Sequence, residues 1–181
     1  MLRLVDALDR SNRRADASRT LALFLSQNPQ NVAAERLAAH WQLAAGDFDA
    51  AITTLEALRA RLGNRDAALL AELAFGYTGA NRHAEAVRLA AAAYALAPAN
   101  PAVADAYGWA LYRGGDAQPA AALLAKAVAI APGHAALRWH LAQAEADLGH
   151  RPQAIAHARA ALSDRSFTER AAASALIATL G

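Results

Sequence analysis

The sequence predicts an all-α solenoid of stacked helix–turn–helix pairs closed by a capping helix. Three observations carry that expectation: a helix-forming composition, a recurring turn, and a recurring breaker in the same register. The chain has 181 residues, of which 55 are Ala while Val and Ile together number nine. Ala is the strongest helix former and strands favour β-branched and aromatic residues, so a sheet protein is excluded. A turn residue leads into a helix with Ala five residues later at Asn12–Ala17, Gly46–Ala51, Asn81–Ala86, Gly115–Ala120 and Gly149–Ala154. Those Ala residues are spaced 34, 35, 34 and 34. Twelve residues beyond each stand Pro29, Gly63, Pro98, Pro132 and Ser166, which break or weaken helices at the same spacing. Self-similarity at such a period is the signature of a repeat protein, whose units bury a core only by stacking.

Taken in order, the spacing predicts a short pair near 2–10 and 14–27, in a first unit covering 1–31. The unit 32–66 follows with helices near 32–45 and 48–62, then 67–100 with helices near 67–79 and 83–97. In 101–134, Pro101 opens a helix to Arg113, a position where Pro is tolerated; Gly114-Gly115-Asp116 ends it, and a second helix runs to Ala131. The unit 135–166 holds helices near 135–148 and 151–163, and a capping helix occupies 167–181, from Phe167 to Leu180. Ala39, Ala51, Ala74, Ala86, Ala120, Ala142 and Ala154 hold matching positions. Small residues there let crossing helices approach to the short end of the usual interaxial range.

Charge and composition exclude several functions. Eighteen basic against 16 acidic residues leave a net charge of +2, and 17 of the basic residues are Arg. Nucleic-acid binding needs basic residues clustered on one face. The nearest cluster, Arg10, Arg13, Arg14 and Arg19, alternates with Asp6, Asp9 and Asp16 and reads as a solvated helix end. No nucleic-acid partner is expected. The longest uncharged run, Leu89–Ala104, has 16 residues and two prolines, whereas a span needs about 20 apolar residues. With no Cys there is neither disulfide nor thiolate metal site. Six scattered His residues offer no metal spacing, and no phosphate loop or nucleophile motif occurs, so no cofactor, no metal and no catalysis are expected.

A 34-residue helix–turn–helix unit with small residues at these offsets and a terminal Pro resembles the tetratricopeptide repeat (TPR). The best match is Tyr107-Gly108-Trp109-Ala110-Leu111, followed by Gly115, Ala120, Leu124, Ala127 and Pro132. The resemblance implies a right-handed superhelix over the whole chain, whose first helices line a concave groove. Carried over residue by residue, the groove positions are Arg36 and His40, with Leu37 and Leu43 beside them; then Glu72, Phe75 and Thr78; then Asp105, Trp109, Tyr112 and Arg113; and finally Trp139, His140, Gln143 and Asp147. Aromatic and Arg side chains are typical interface anchors. Trp109 also belongs to the packing pattern of its repeat, and Trp41, one position away from the groove, reads as packing. The Lys and Asn clamp with which TPR proteins hold a C-terminal carboxylate is absent, Lys126 being the only Lys and lying on a second helix. The expected partner is an extended, partly polar peptide or a helix.

The ordered series Asp105–Asp116, Leu137–Ala142 and Phe167–Arg170 resembles the C-terminal end of bacterial TPR proteins of exopolysaccharide export, including exosortase-associated (PEP-CTERM) members, over about the last 80 residues. That resemblance implies a scaffold of an export system, periplasmic or outer-membrane-associated in a Gram-negative bacterium. Met1 falls at the fourth position of its unit, so the chain is expected to be the C-terminal part of a longer array. Two other functions stay open at this level. One is a docking or regulatory segment of a larger enzyme. The other is self-association through Leu2, Val5, Leu8 and Leu21 of the first pair, left without a neighbour.

Overall fold

A computed structural model describes residues 1–11 and 13–181; Asn12, the first of the five turn residues, lies outside the described residues. Among them are eleven helices and no strand: α1 (Leu2–Arg10), α2 (Arg14–Gln27), α3 (Val32–Ala45), α4 (Phe48–Leu62), α5 (Ala67–Gly79), α6 (His83–Leu96), α7 (Pro101–Arg113), α8 (Ala117–Ile130), α9 (Ala135–Asp147), α10 (Arg151–Leu162) and α11 (Arg170–Leu180). No helix among the described residues is long and apolar enough to cross a membrane. Each helix but the last lies within a residue of its expected limits, because the sequence punctuates each one. Asn31, Asp66 and Asn100 cap α3, α5 and α7, their side-chain oxygens accepting from Ala34, Leu69 and Ala102 N–H at 3.0 Å. Such caps satisfy donors that have no partner inside the helix. The turn residues Gly46, Asn81, Gly115 and Gly149 all take the left-handed conformation, with φ of 78°, 58°, 98° and 77°. That region favours Gly, and Asn among the other residues.

The chain forms two compact units, Met1–Asn64 and Arg65–Gly181. In the first, Val5, Ala17, Leu21 and Ala34 form a core packed round by Leu2, Leu8, Phe24, Leu37 and Trp41. This corrects half of the expected apolar outer face. Val5 and Leu21 are fully or almost fully buried because they face each other across the α1–α2 pair, whereas Leu2 and Leu8 are half-buried and Met1, Leu4 and Leu23 are exposed. The Arg–Asp cluster is a surface ion-pair network: Arg10 reaches Asp6 at 3.0 Å, Arg14 reaches Asp9 at 2.7 Å, and Arg13 and Arg19 both engage Asp16. Arg14 also lies over the Trp41 ring, 4.3 Å from its centroid. Farther on, Leu55 and Leu58 of α4 are fully buried, and Arg61 holds Glu35 of α3 in a two-point ion pair.

In the second unit α7 packs against α5, α6, α8 and α9, α9 against α8 and α10, and α11 against α10. The matching Ala residues of both units, Ala39, Ala51, Ala74, Ala86, Ala120, Ala142 and Ala154, are all wholly buried. A close approach is made at Gly108 of α7, where a Cβ would lie 2.7 Å from Leu124 Cγ and 3.2 Å from the Ala120 carbonyl oxygen. Around it, Leu111, Leu124, Val128, Leu137 and Leu141 fill the core. The capping helix starts three residues later than expected. Ser166 donates to Asp164 from both its N–H and its hydroxyl, at 2.8 and 2.7 Å, and this tight turn drops Phe167 into the core before α11 begins.

Candidate partner-binding surface

Three consecutive first helices, α5, α7 and α9, supply one continuous ring cluster in the second unit. A helix turns by about 100° per residue, so Asp105, Trp109 and Tyr112, at spacings of four and three, share one side of α7. His140 of α9 comes to the same place from the neighbouring repeat. Its ring lies 4.0 Å from the Trp109 ring at an interplanar angle of 14°, and 6.3 Å from Phe75 of α5. The Tyr112 ring stacks on Trp109 at 5.3 Å, and the Arg113 guanidinium stands 5.6 Å from the Trp109 centroid.

Buried polar partners hold these rings. His140 and Asp105 are both almost entirely enclosed, and His140 Nδ1 lies 2.8 Å from Asp105 Oδ1. An imidazole with its proton on Nδ1 donates to this carboxylate. The pairing fixes the ring plane against which Trp109 lies. The Asp147 carboxylate at the end of α9 lies near the Tyr112 hydroxyl. Burial above all, then the charge and hydrogen bond of Asp147, push its phenol pKa up to about 12, against the opposing pull of Arg113. Arg113 in turn donates to Asn81 Oδ1 at 3.3 Å. Asn81 is the residue that repeat arithmetic overlooks here: it is legible as a turn residue, and only the fold brings it beside Arg113.

Two of the other expected positions, Trp139 and Thr78, are core. Trp139 is buried on a different side of α9, edge-on to Phe167 at 6.3 Å, with its indole N–H donating to Glu169 Oε2 at 2.7 Å. Being one residue before His140 it points about 100° away, into the core under α11 rather than onto the ring cluster. Thr78 is also core, its hydroxyl donating to the Ala74 carbonyl at 2.8 Å. Gln143 donates to the Trp139 carbonyl oxygen at 3.4 Å and is half-buried, as are Glu72 and Phe75. Arg36, half-buried, and His40, exposed, lie on α3 in the first unit. No group of three His, Cys, Asp or Glu is placed to hold a metal among the described residues.

The fold is that of TPR proteins. The chain is similar to TTC0263, a thermophilic TPR protein of Thermus thermophilus, with a TM-score of 0.82 at 22% identity, covering 98% of this chain and 97% of that one. It is also similar to MamA 41-end from Desulfovibrio magneticus RS-1, with a TM-score of 0.66 at 16% identity over 89% and 90% of the two chains. A further MamA structure aligns with a TM-score of 0.63 at 19% identity over 88% and 92%. No family model matches the chain, and no curated protein matches it. At such identities the likeness establishes the architecture.

Proposed function

We propose that the chain is a non-catalytic interaction scaffold that takes a peptide or partner helix on the α5–α7–α9 face of its second unit. The observation that carries this reading is the half-exposed Trp109 ring, stacked between repeats on an imidazole that a buried carboxylate holds in place. A rigid aromatic platform of this kind offers contact area at little entropic cost. Phe75, Tyr112, Arg113, Gln143 and Glu72 are the proposed surroundings of the platform, with His140 and Asp105 as its support. Arg36 and His40 are proposed as a separate point of contact on the first unit. The resemblance of the last 80 residues to exopolysaccharide-export TPR proteins supports a partner within such an export system, in the periplasm or at the outer membrane.

A random peptide library displayed on phage and selected on the whole chain tests the reading. Selected peptides should lose binding to the Trp109→Ala/Tyr112→Ala variant, once circular dichroism shows that its helix content is intact. Peptides that bind the variant equally well would place recognition elsewhere.

A further inference from the structure

We infer that the last helix pair carries an acid-sensitive clasp: Arg138 ties α9, the α8–α9 turn and α10 together through a neutral His157, and protonation of His157 releases α10 from the tie. Arg138 of α9 donates from Nε to the Pro132 carbonyl oxygen at 2.6 Å, and one terminal nitrogen lies 3.2 Å from His157 Nδ1 of α10. A guanidinium has only donors to offer, so the imidazole nitrogen facing it is the acceptor. His157 therefore carries its proton on Nε2. An imidazolium has no lone pair left for Arg138, and it sets a second positive charge at hydrogen-bond distance from the first.

The surroundings favour the neutral ring. Both side chains are half-buried. Burial first, then the charge of Arg138, hold the His157 pKa below the usual 6.5, while Glu145 pulls the other way. Glu145 stands two turns beyond Arg138 on α9 and is already engaged by His150. At α11, the other helix packed against α10, Glu169 accepts from the Trp139 indole and Arg170 donates to the Leu162 and Asp164 carbonyl oxygens. On α10 itself, Arg151 and Arg159 are exposed on other sides of the helix. Folding thus selects the unprotonated imidazole. The tie is whole above the ordinary 6.5 of the unfolded chain and is lost as pH falls from there through the lower folded value.

Two measurements on the whole chain test this. Nitrogen-15 NMR of the imidazole rings reads the tautomer, and hydrogen exchange of α10 at about pH 7.5 and about pH 5, corrected for the intrinsic rate, reads the release. His157 should hold its proton on Nε2 at the higher pH. Protection of α10 should fall about threefold to tenfold in acid, the scale of one side-chain hydrogen bond. His157→Asn sets an amide oxygen near the place of Nδ1 but does not titrate, so its α10 should keep its protection. Arg138→Ala should move the His157 titration to higher pH and leave α10 equally loose at both. A proton on Nδ1 near neutrality, a His157 titration unmoved by Arg138→Ala, or an acid loosening shared by His157→Asn would each overturn the clasp. The tautomer is read on the unaltered chain, so that result decides even where a substitution disturbs folding.

Discussion

Tyr112 shows how a single side chain reports its surroundings. Its ring is stacked on Trp109 and its hydroxyl lies near Asp147, so burial and a neighbouring negative charge both favour the neutral phenol. Its pKa in the folded chain is about 12 against an ordinary 10.0. The folded state then holds a proton that the unfolded chain releases, so stability falls with rising pH across that interval and is untouched by this group below it. A spectrophotometric titration of phenolate should show a late-ionising step, and Tyr112→Phe should remove it. A titration curve unchanged by Tyr112→Phe at its alkaline end would contradict the enclosed phenol. This property is not legible in the sequence: Tyr112 can be placed on the same side of α7 as Trp109, but Asp147 reaches it only through the stacking of α9 on α7.

The elements are legible because each carries its own start and stop. Asn100-Pro101 opens α7 with a capping side chain and a preset φ, Gly115 ends its turn in the left-handed region, and Ala120 lies at the crossing. What spacing alone leaves undetermined is which way neighbouring residues point. Trp139 and His140 are adjacent in sequence, yet one is core beneath α11 and the other supports the Trp109 platform. In α1 and α2 the apolar spacing presents Val5 and Leu21 as an outer face, whereas the pair turns them onto each other. The α7–α8 crossing yields a sharp expectation. Gly108→Ala would place a methyl 2.7 Å from Leu124 Cγ with the Ala120 carbonyl close behind. The helices must move apart, an overpacking that costs about 1–3 kcal/mol. Chemical denaturation should read this loss even though Ala is the better helix former. A variant as stable as the parent would mean that the crossing is slack.

At the scale of the whole chain, stability should be graded rather than uniform. Units of a stacked array contact only their neighbours, so the terminal pairs open first. Hydrogen exchange should be fastest before residue 30 and slowest over 67–148, where Leu69, Leu73, Leu89, Leu124 and Leu141 are buried. Uniform protection would argue for one all-or-none transition instead. The three Trp residues happen to sample this gradient. Trp41 lies under Arg14 in the first unit, Trp109 sits on the open face of the second, and Trp139 is bonded to Glu169 beneath the last helix. Each indole has a different neighbour: a guanidinium, an imidazole, a carboxylate. Variants that keep one Trp at a time would turn the intrinsic fluorescence of the chain into three local gauges. One would read the melting of the leading pair, one the occupancy of the proposed binding face, and one the lifting of the terminal helix, with no label attached.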